Sequence, residues 1–142
     1  MKVVINKCYG GFGLSPLAIV ELAKLKGREC WFFDAKFRTH GGKTTYQPLT
    51  MAEASTAFCP HAFDVPDPNA VDEELLWEQH AIDSRPEDRT DPDLVAVVET
   101  LGEAANGRHA KLRIIEIPDG VNWEIDEYDG MESVKEAHRS WS

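Results

Sequence analysis

Residues 2–27 of the chain read KVVINKCYGGFGLSPLAIVELAKLKG, and this stretch decides the predicted fold. Its first part, 2–6, indicates a short buried strand because three β-branched side chains follow one another. Ser15 and Pro16 are a typical N-cap and first helical residue, and apolar side chains then recur at helical spacing. Gly27 is placed to end that helix in a left-handed conformation. The stretch therefore predicts a strand, a glycine-rich turn and a helix.

A second apolar strand is indicated at 30–33, shortly after this helix. A strand, a helix and a strand with short connections predict a parallel strand pair with a right-handed crossover. The next strong signal lies far along the chain, where Asp91 and Pro92 predict the start of a helix that Gly102 ends.

The last part of the chain predicts a hairpin and a closing helix. Residues 112–117 are rich in isoleucine, and 121–126 alternate between apolar and polar side chains, which indicates two paired strands with one wet face. Trp123 lies on the apolar side of that alternation, so we expect its ring on the core face. An Asp-Gly pair at 129–130 predicts a turn, and the apolar spacing over 131–141 predicts a helix after it.

Between residues 34 and 89 the pattern loosens, and glycines and prolines interrupt it. Short helices are indicated over 51–58 and 70–80. The segment also holds aromatic side chains, so we interpret 34–89 as an insertion or lid and not as a disordered linker. The whole sequence predicts a single domain over 1–142, of the α/β (or α+β) class. Its small mixed β-sheet carries packed helices in the order β-α-β-(insert)-α-β-β-α.

Composition narrows the classes of partner. A chain of 142 residues is long enough for one domain that buries roughly 70% of its unfolded surface. The formal net charge of −10 opposes binding to nucleic-acid phosphates and to anionic membranes. A small anion held by local donors, or a basic partner protein, stays compatible with that charge. We therefore expect no direct nucleic-acid binding and no membrane partner.

The cysteines and the apolar runs indicate a compartment. Cys8, Cys30 and Cys59 cannot all pair within one chain, and free thiols are typical of reducing surroundings. The apolar run at 3–5 is too short for a signal peptide, and no run approaches the roughly 20 residues of a transmembrane helix. Cytoplasmic localisation is therefore expected.

The strongest candidate site is the glycine loop, which we define as residues 6–15. Glycines let a ligand approach backbone amides closely, and the following helix directs its free N–H groups and positive dipole end to the same place. The spacing matches neither a dinucleotide fingerprint nor a Walker A loop. The loop therefore predicts either a site for an anionic small molecule, a nucleotide above all, or a tight turn that binds nothing. The candidate ligand-binding residues in it are Asn6, Lys7, Cys8, Tyr9, Gly10, Gly11, Phe12, Gly13 and Ser15.

Arg139, near the end of the sequence, is the remaining candidate ligand-binding residue. Its guanidinium can hold a phosphate through two hydrogen bonds, or it can form a surface ion pair with Glu132 or Glu136. Its neighbour His138 shares the apolar spacing of the predicted last helix, which favours a half-buried structural histidine.

Three further groups have both a chemical and a structural interpretation. Cys8 precedes a helix N-terminus, a position that favours a reactive thiolate, but it also fits a packed strand end. The acids over 126–132 can bind Mg²⁺ or form a solvated turn. Cys59 and His61 supply two possible zinc ligands without a matching second pair. We therefore predict no catalytic residue, no metal site and no cofactor.

The segment VINKCYGGFGLS, residues 4–15, resembles the opening shared by a family of small proteins of phages, prophages and bacteria. The family has similar segments to DPDLV at 91–95, KLRIIEIP at 111–118 and WEIDEYDG at 123–130, and a similar ending to HRSW at 138–141. Its members are shorter in the middle, so the resemblance makes 34–89 a variable insert. What it implies is a phage-associated accessory role in the host cytoplasm, for which counter-defence is common. It assigns no catalytic residue.

These observations lead to three hypotheses of function. The first is a binding protein, a small homo-oligomer that captures a nucleotide at the glycine loop; with the resemblance, it would sequester a nucleotide immune signal. The second is an enzyme that processes a nucleotide through Cys8 or the acids near Asp129. The third is a protein-interaction module, an acidic mimic of nucleic acid that occupies a basic site. We favour binding without catalysis.

Overall fold

The computed structural model describes residues 1–36, 44–57 and 59–136. Within these ranges the chain forms both helices and strands, and every strand pair is antiparallel, so the fold belongs to the α+β class. The strands β1 to β7 are Lys2–Asn6, Trp31–Lys36, Thr45–Leu49, His61–Phe63, Leu112–Glu116, Trp123–Tyr128 and Met131–Glu136. The helices α1 to α4 are Pro16–Leu25, Met51–Thr56, Glu73–Leu75 and Pro92–Leu101.

The chain divides into two compact units. The first unit comprises Met1–Ala18 together with the described residues from Ser84 onward, and the second unit is Ile19–Asp83. The second unit is thus continuous in sequence, whereas the first is assembled from both sides of it. The interpretation of 34–89 as an insertion or lid within a single domain stays a prediction.

The first unit is built on β1, whose residues 3–5 are fully buried. β1 pairs with β5 in a register that places Val4 opposite Ile114, and α4 packs against both strands. Successive buried side chains point to opposite faces of a strand, so both faces of β1 must be covered. This explains why the sequence shows a continuous apolar run there and no alternation.

Two predicted strand pairings are wrong. The first two strands do not form a parallel pair, because β2 lies in a separate sheet between β3 and β4. The residues 112–117 and 121–126 do not form a hairpin either, because β5 pairs with β1 and β6 pairs with β7. The crossover rule applies only to strands of one sheet, and neighbours in sequence need not share a sheet.

The strands β6 and β7 form a hairpin joined by Asp129 and Gly130, whose φ angles are +52° and +89°. Two central residues with positive φ are typical of a type I′ turn, for which Asp-Gly is a preferred pair. The predicted turn is therefore confirmed, but the predicted closing helix is wrong over Met131–Glu136, which form a strand. The rest of that predicted helix, 137–142, lies outside the described residues.

The predicted alternation in β6 is confirmed, although its partner differs. Trp123 and Ile125 are half-buried, whereas Glu124 and Asp126 are exposed. Ile125 lies opposite Val134 on β7, so these apolar side chains share one face of the hairpin.

The second unit contains a sheet in the order β3-β2-β4. Its apolar cluster consists of Phe33, Tyr46, Phe63 and Leu76, which are all at most 5% exposed. Pro48 lies in β3 at an edge of this sheet, where a missing N–H leaves no ladder bond unmade.

The helices follow their local signals. At the start of α1, the Ser15 hydroxyl accepts the N–H of Ala18 at 3.2 Å. At its other end, the N–H of Arg28 donates to the Ala23 carbonyl at 2.8 Å, and Gly27 forms the turn between them. The short helices predicted at 51–58 and 70–80 correspond to α2 and to α3, which continues as a π-helical turn over Leu76–His80. Over the described part of the chain, no helix combines the length and apolarity needed to cross a membrane.

Candidate functional site at the glycine loop

The glycine loop connects the end of β1 to the start of α1. Its backbone is held by protein carbonyls: the N–H of Lys7 donates to Lys111 at 2.7 Å, and that of Leu14 donates to Ser84 at 3.0 Å. The carbonyl of Gly13 accepts the N–H of Gly107 at 2.8 Å. The loop is therefore fixed at both ends by segments that are distant in sequence.

Asn6 fastens the beginning of the loop. Its side-chain Nδ2 donates to the carbonyls of Cys8 and Gly130 at 2.6 and 2.8 Å. Its Oδ1 accepts the N–H groups of Cys8 and Lys111 at 3.2 and 2.9 Å. An amide offers two donors and two acceptor positions, so the side chain is fully used within the protein. Asn6 is fully buried, and its side chain joins the loop to Lys111 and Gly130.

The glycines of the loop serve different purposes. A Cβ at Gly10 would collide with the Cβ and carbonyl of His109, and Gly11 has a φ of +91°. A Cβ at Gly130 would lie 2.6 Å from the Gly11 nitrogen, so the tip of the β6–β7 hairpin is packed against the loop. Gly13 differs because a Cβ there would meet nothing within 4 Å. Gly10 is required for packing, whereas Gly13 leaves its side of the loop open.

An ion pair lies beneath the loop. The Arg89 Nη1 donates to the Glu132 Oε1 at 2.7 Å, and the exposed fractions of the two side chains are 14% and 9%. The Arg89 guanidinium also stacks on the buried Phe12 ring, with its Cζ 3.6 Å from the ring centroid. Phe12 is therefore a packing residue. Glu132, which the sequence placed among possible metal-binding acids, is a buried structural carboxylate.

The outer side of the loop presents other groups to solvent. Tyr9 is 60% exposed, and Lys7 is exposed beside it. The Arg85 Nη2 lies 4.0 Å from the position of a Cβ on Gly11, and this arginine is exposed. Within 1–36, 44–57 and 59–136, the N–H groups of Tyr9, Gly10, Phe12 and Gly13 donate to no protein acceptor. The loop and its surroundings thus combine backbone N–H groups that have no acceptor among the described residues, cationic side chains and one exposed aromatic ring.

The remaining candidates from the sequence lie apart from this arrangement. Cys8 is half-buried beside Asn6, and Ser15 is occupied as a helix cap that also donates to the Ala104 carbonyl at 2.6 Å. Among the described residues, no three His, Cys, Asp or Glu side chains gather closely enough to hold a metal ion, and this includes Cys59 and His61. Arg139 and His138 lie outside the described residues.

A second polar cluster occurs in the second unit. The Asp64 carboxylate contacts the His80 Nδ1 at 2.7 Å and the Arg28 Nη2 at 3.0 Å. Burial acts to raise the pKa of Asp64, but the hydrogen bonds from His80 and Arg28 outweigh it and lower that pKa. Burial also raises the pKa of the Cys30 thiol to about 11, so this thiol is protonated at neutral pH. The cluster is a structural ion-pair network and has no activated sulfur nucleophile at Cys30.

Sequence reasoning missed Arg85, Arg89 and His109, which complete the surroundings of the loop. Arg85 and Arg89 lie in the loosely patterned segment that was interpreted as an insert. The only local signal for His109 is the cluster of basic residues that follows the Asn-Gly pair at 106–107.

None of the protein families, curated proteins or solved structures that were compared with the chain matches it. Its function is therefore inferred from the chemistry of the loop.

Proposed function

We propose that the protein binds an anionic small molecule, a nucleotide, at the outer side of the glycine loop. The observation that carries this proposal is a loop whose amides at Gly10 and Gly13 have no acceptor among the described residues, with the Arg85 guanidinium placed beside Gly11. Guanidinium groups bind phosphate through two parallel hydrogen bonds, and backbone N–H groups supply further donors. Tyr9 adds an exposed ring on which a base can stack.

The overall acidity of the chain does not oppose a small ligand at this place. At physiological ionic strength, exposed charges separated by more than about 8 Å are largely screened. The charges that act on a bound phosphate are therefore those in its immediate surroundings, which include Lys7 in the loop and Arg85 beside Gly11.

We further propose that binding is the function and that the ligand is not turned over. The resemblance to small phage proteins supports sequestration of a nucleotide immune signal by a homo-oligomer in the host cytoplasm. Enzymatic processing through Cys8 remains the alternative, and the chemical state of the released ligand separates the two. A sequestering protein releases an intact nucleotide on heat denaturation, whereas an enzyme releases a processed one.

The test is a thermal-shift screen of cyclic dinucleotides, ADP-ribose and mononucleotides. A ligand at 100 times its Kd stabilises the folded state by about 2.7 kcal/mol, which raises the melting temperature by several degrees. Gly13→Ala is the sharpest variant, because the added methyl meets no protein atom within 4 Å and Gly13 has no positive φ. We expect it to melt like wild type without ligand and to lose the response.

Arg85→Gln tests the cation and should weaken the response about tenfold or more, which is the effect of one charge-assisted hydrogen bond. Lys24→Gln is the matched control, since it removes an exposed positive charge on α1 in the second unit. If no nucleotide stabilises wild type at millimolar concentration, or if Gly13→Ala responds like wild type, the proposed site is wrong.

A further inference from the structure

One edge of β5 is paired with β1, and no strand of the described residues occupies the other. Alternate residues of an antiparallel ladder direct their N–H and C=O groups to opposite edges. Met1 and Ile117 exchange both backbone hydrogen bonds, at 2.8 and 2.9 Å, so the odd-numbered residues of β5 face β1. Leu112, Ile114 and Glu116 therefore direct their backbone groups to the other edge.

The surrounding hydrogen bonds confirm this direction. The N–H of Leu112 donates to the Asn106 Oδ1 at 2.9 Å, which caps the beginning of the edge. On β1, the N–H of Val4 points away from β5 and donates to the backbone carbonyl of Arg89 at 2.9 Å. Beyond the Asn106 cap, the backbone groups of Ile114 and Glu116 have no strand partner within the part of the chain that the structure describes.

The capped end of this edge adjoins a cavity of about 510 Å³. Lys111, Arg113 and Glu103 line it, and all three side chains are exposed. The local balance is thus two cations against one carboxylate, on a chain whose net charge is −10. Glu116, at the far end of β5, lies opposite Lys2 on β1. The excess of cations therefore lies at the capped end of the edge.

We propose that the second edge of β5, which no described strand occupies, binds an extended peptide segment of a partner protein, which adds a strand and places a carboxylate side chain beside Arg113 and Lys111. Strand addition supplies affinity through backbone hydrogen bonds, and neighbouring side-chain sites supply specificity. The basic end of the edge selects the carboxylate. This surface does not use the outer side of the glycine loop, so the nucleotide proposal can fail without it.

The decisive variant is Ile114→Pro. Proline removes the outward N–H at Ile114 but leaves every β1–β5 hydrogen bond intact, and proline is tolerated where a strand N–H faces an open edge. Ile114→Thr is the matched control, because it changes the side chain, keeps the N–H and stays β-branched. Circular dichroism and urea melts establish that both variants fold.

The probe is a displayed library of random short peptides, selected on the wild-type protein. We expect the enriched peptides to combine β-branched residues with one or two carboxylates, and to slow amide hydrogen exchange at Ile114 and Glu116. Ile114→Pro should bind them about tenfold more weakly or worse, and Ile114→Thr should bind them like wild type. Arg113→Glu, which leaves the edge intact, should lose the acidic peptides and select basic ones instead.

Three outcomes would overturn the proposal. The first is a selection that enriches no peptide. The second is enrichment of peptides that Ile114→Pro binds as tightly as wild type does. The third is concentration-dependent self-association of wild type that Ile114→Pro abolishes, since the occupant of the edge would then be a second copy of this chain.

Discussion

The Glu132 carboxylate accepts from the Arg89 guanidinium at 2.7 Å and, through the same Oε1, from the backbone N–H of Asn6 at 2.9 Å. One buried oxygen therefore joins the end of β1, the segment before α4 and the start of β7. Removal of either Arg89 or Glu132 leaves the other charge buried and without its partner. The free-energy cost of that exceeds the net free energy that the ion pair contributes to stability. The glycine loop rests on this contact through the Phe12 ring.

We expect Glu132→Ala to lower the free energy of unfolding by about 3–5 kcal/mol, because Arg89 is left charged and buried. Glu124→Ala is the matched control: its ion pair with Lys135, at 3.4 Å, is exposed on the outer face of the same hairpin. That change should cost less than about 1 kcal/mol. Urea melts of both variants provide the measurement, and equal losses would show that the buried pair has no special role.

Gly130→Ala tests the close approach of the hairpin tip to the loop. Gly120→Ala is its control, since both glycines have positive φ, +89° and +81°, but a Cβ at Gly120 meets nothing within 4 Å. The control should cost about 1–2 kcal/mol from backbone strain alone. Gly130→Ala should cost clearly more, because its methyl collides with the Tyr9 carbonyl and the Gly11 nitrogen. Similar melting curves for the two variants would mean that the tip moves away freely.

The stability of the fold should decline as the pH falls through the range in which an unfolded histidine takes up its proton. Burial lowers the pKa of His61, against the opposing effect of the Asp34 carboxylate. Below about pH 6.5 the unfolded chain therefore binds more protons than the folded one, which favours unfolding. We expect the urea midpoint to be lower at about pH 5 than at about pH 7.5, and His61→Phe to reduce that difference. An unchanged difference in the variant would assign the pH dependence to other groups.

Cys30 should resist alkylation in the folded protein. With a pKa of about 11, its thiolate fraction near pH 8 is more than a hundredfold below that of an ordinary cysteine, and higher intrinsic nucleophilicity offsets only about tenfold of this. In a variant in which Cys30 is the only cysteine, iodoacetamide should react with the folded protein at least about tenfold more slowly than with the urea-unfolded protein. Equal rates would place Cys30 in a polar, accessible setting.

The helices and turns could be predicted because their signals lie within a few residues. Asp91 accepts the N–H of Asp93 at 3.0 Å, and Gly102 ends α4 with a φ of +57°, as the sequence indicates. The Asp-Gly turn at 129–130 was equally local. The strand after it was not predicted, because apolar spacing over 131–141 fits a helix and only the tight turn favours a return strand.

Strand partners could not be predicted from the sequence. Nothing in β1 specifies β5 over β2, since all three are short apolar runs and the choice is made by packing across the whole unit. The same limit applies to the site. The glycine loop was visible because glycines are local signals, whereas Arg85 and Arg89 reach it from a different part of the chain. Glu132 resembled its exposed acidic neighbours until its burial was known.

The pairing of β1 with β5 also sets an order of events during synthesis. Met1 and Ile117 are bonded across 116 positions of sequence, so the first strand leaves the ribosome long before its partner exists. All of Ile19–Asp83 emerges within that interval and has its own sheet partners available. Until α4 and β5 are translated, the apolar residues 3–5 lack the helix and the strand that pack against them, and at ordinary elongation rates this lasts on the order of ten seconds. The strand that is made first is thus paired only after most of the described chain has been translated.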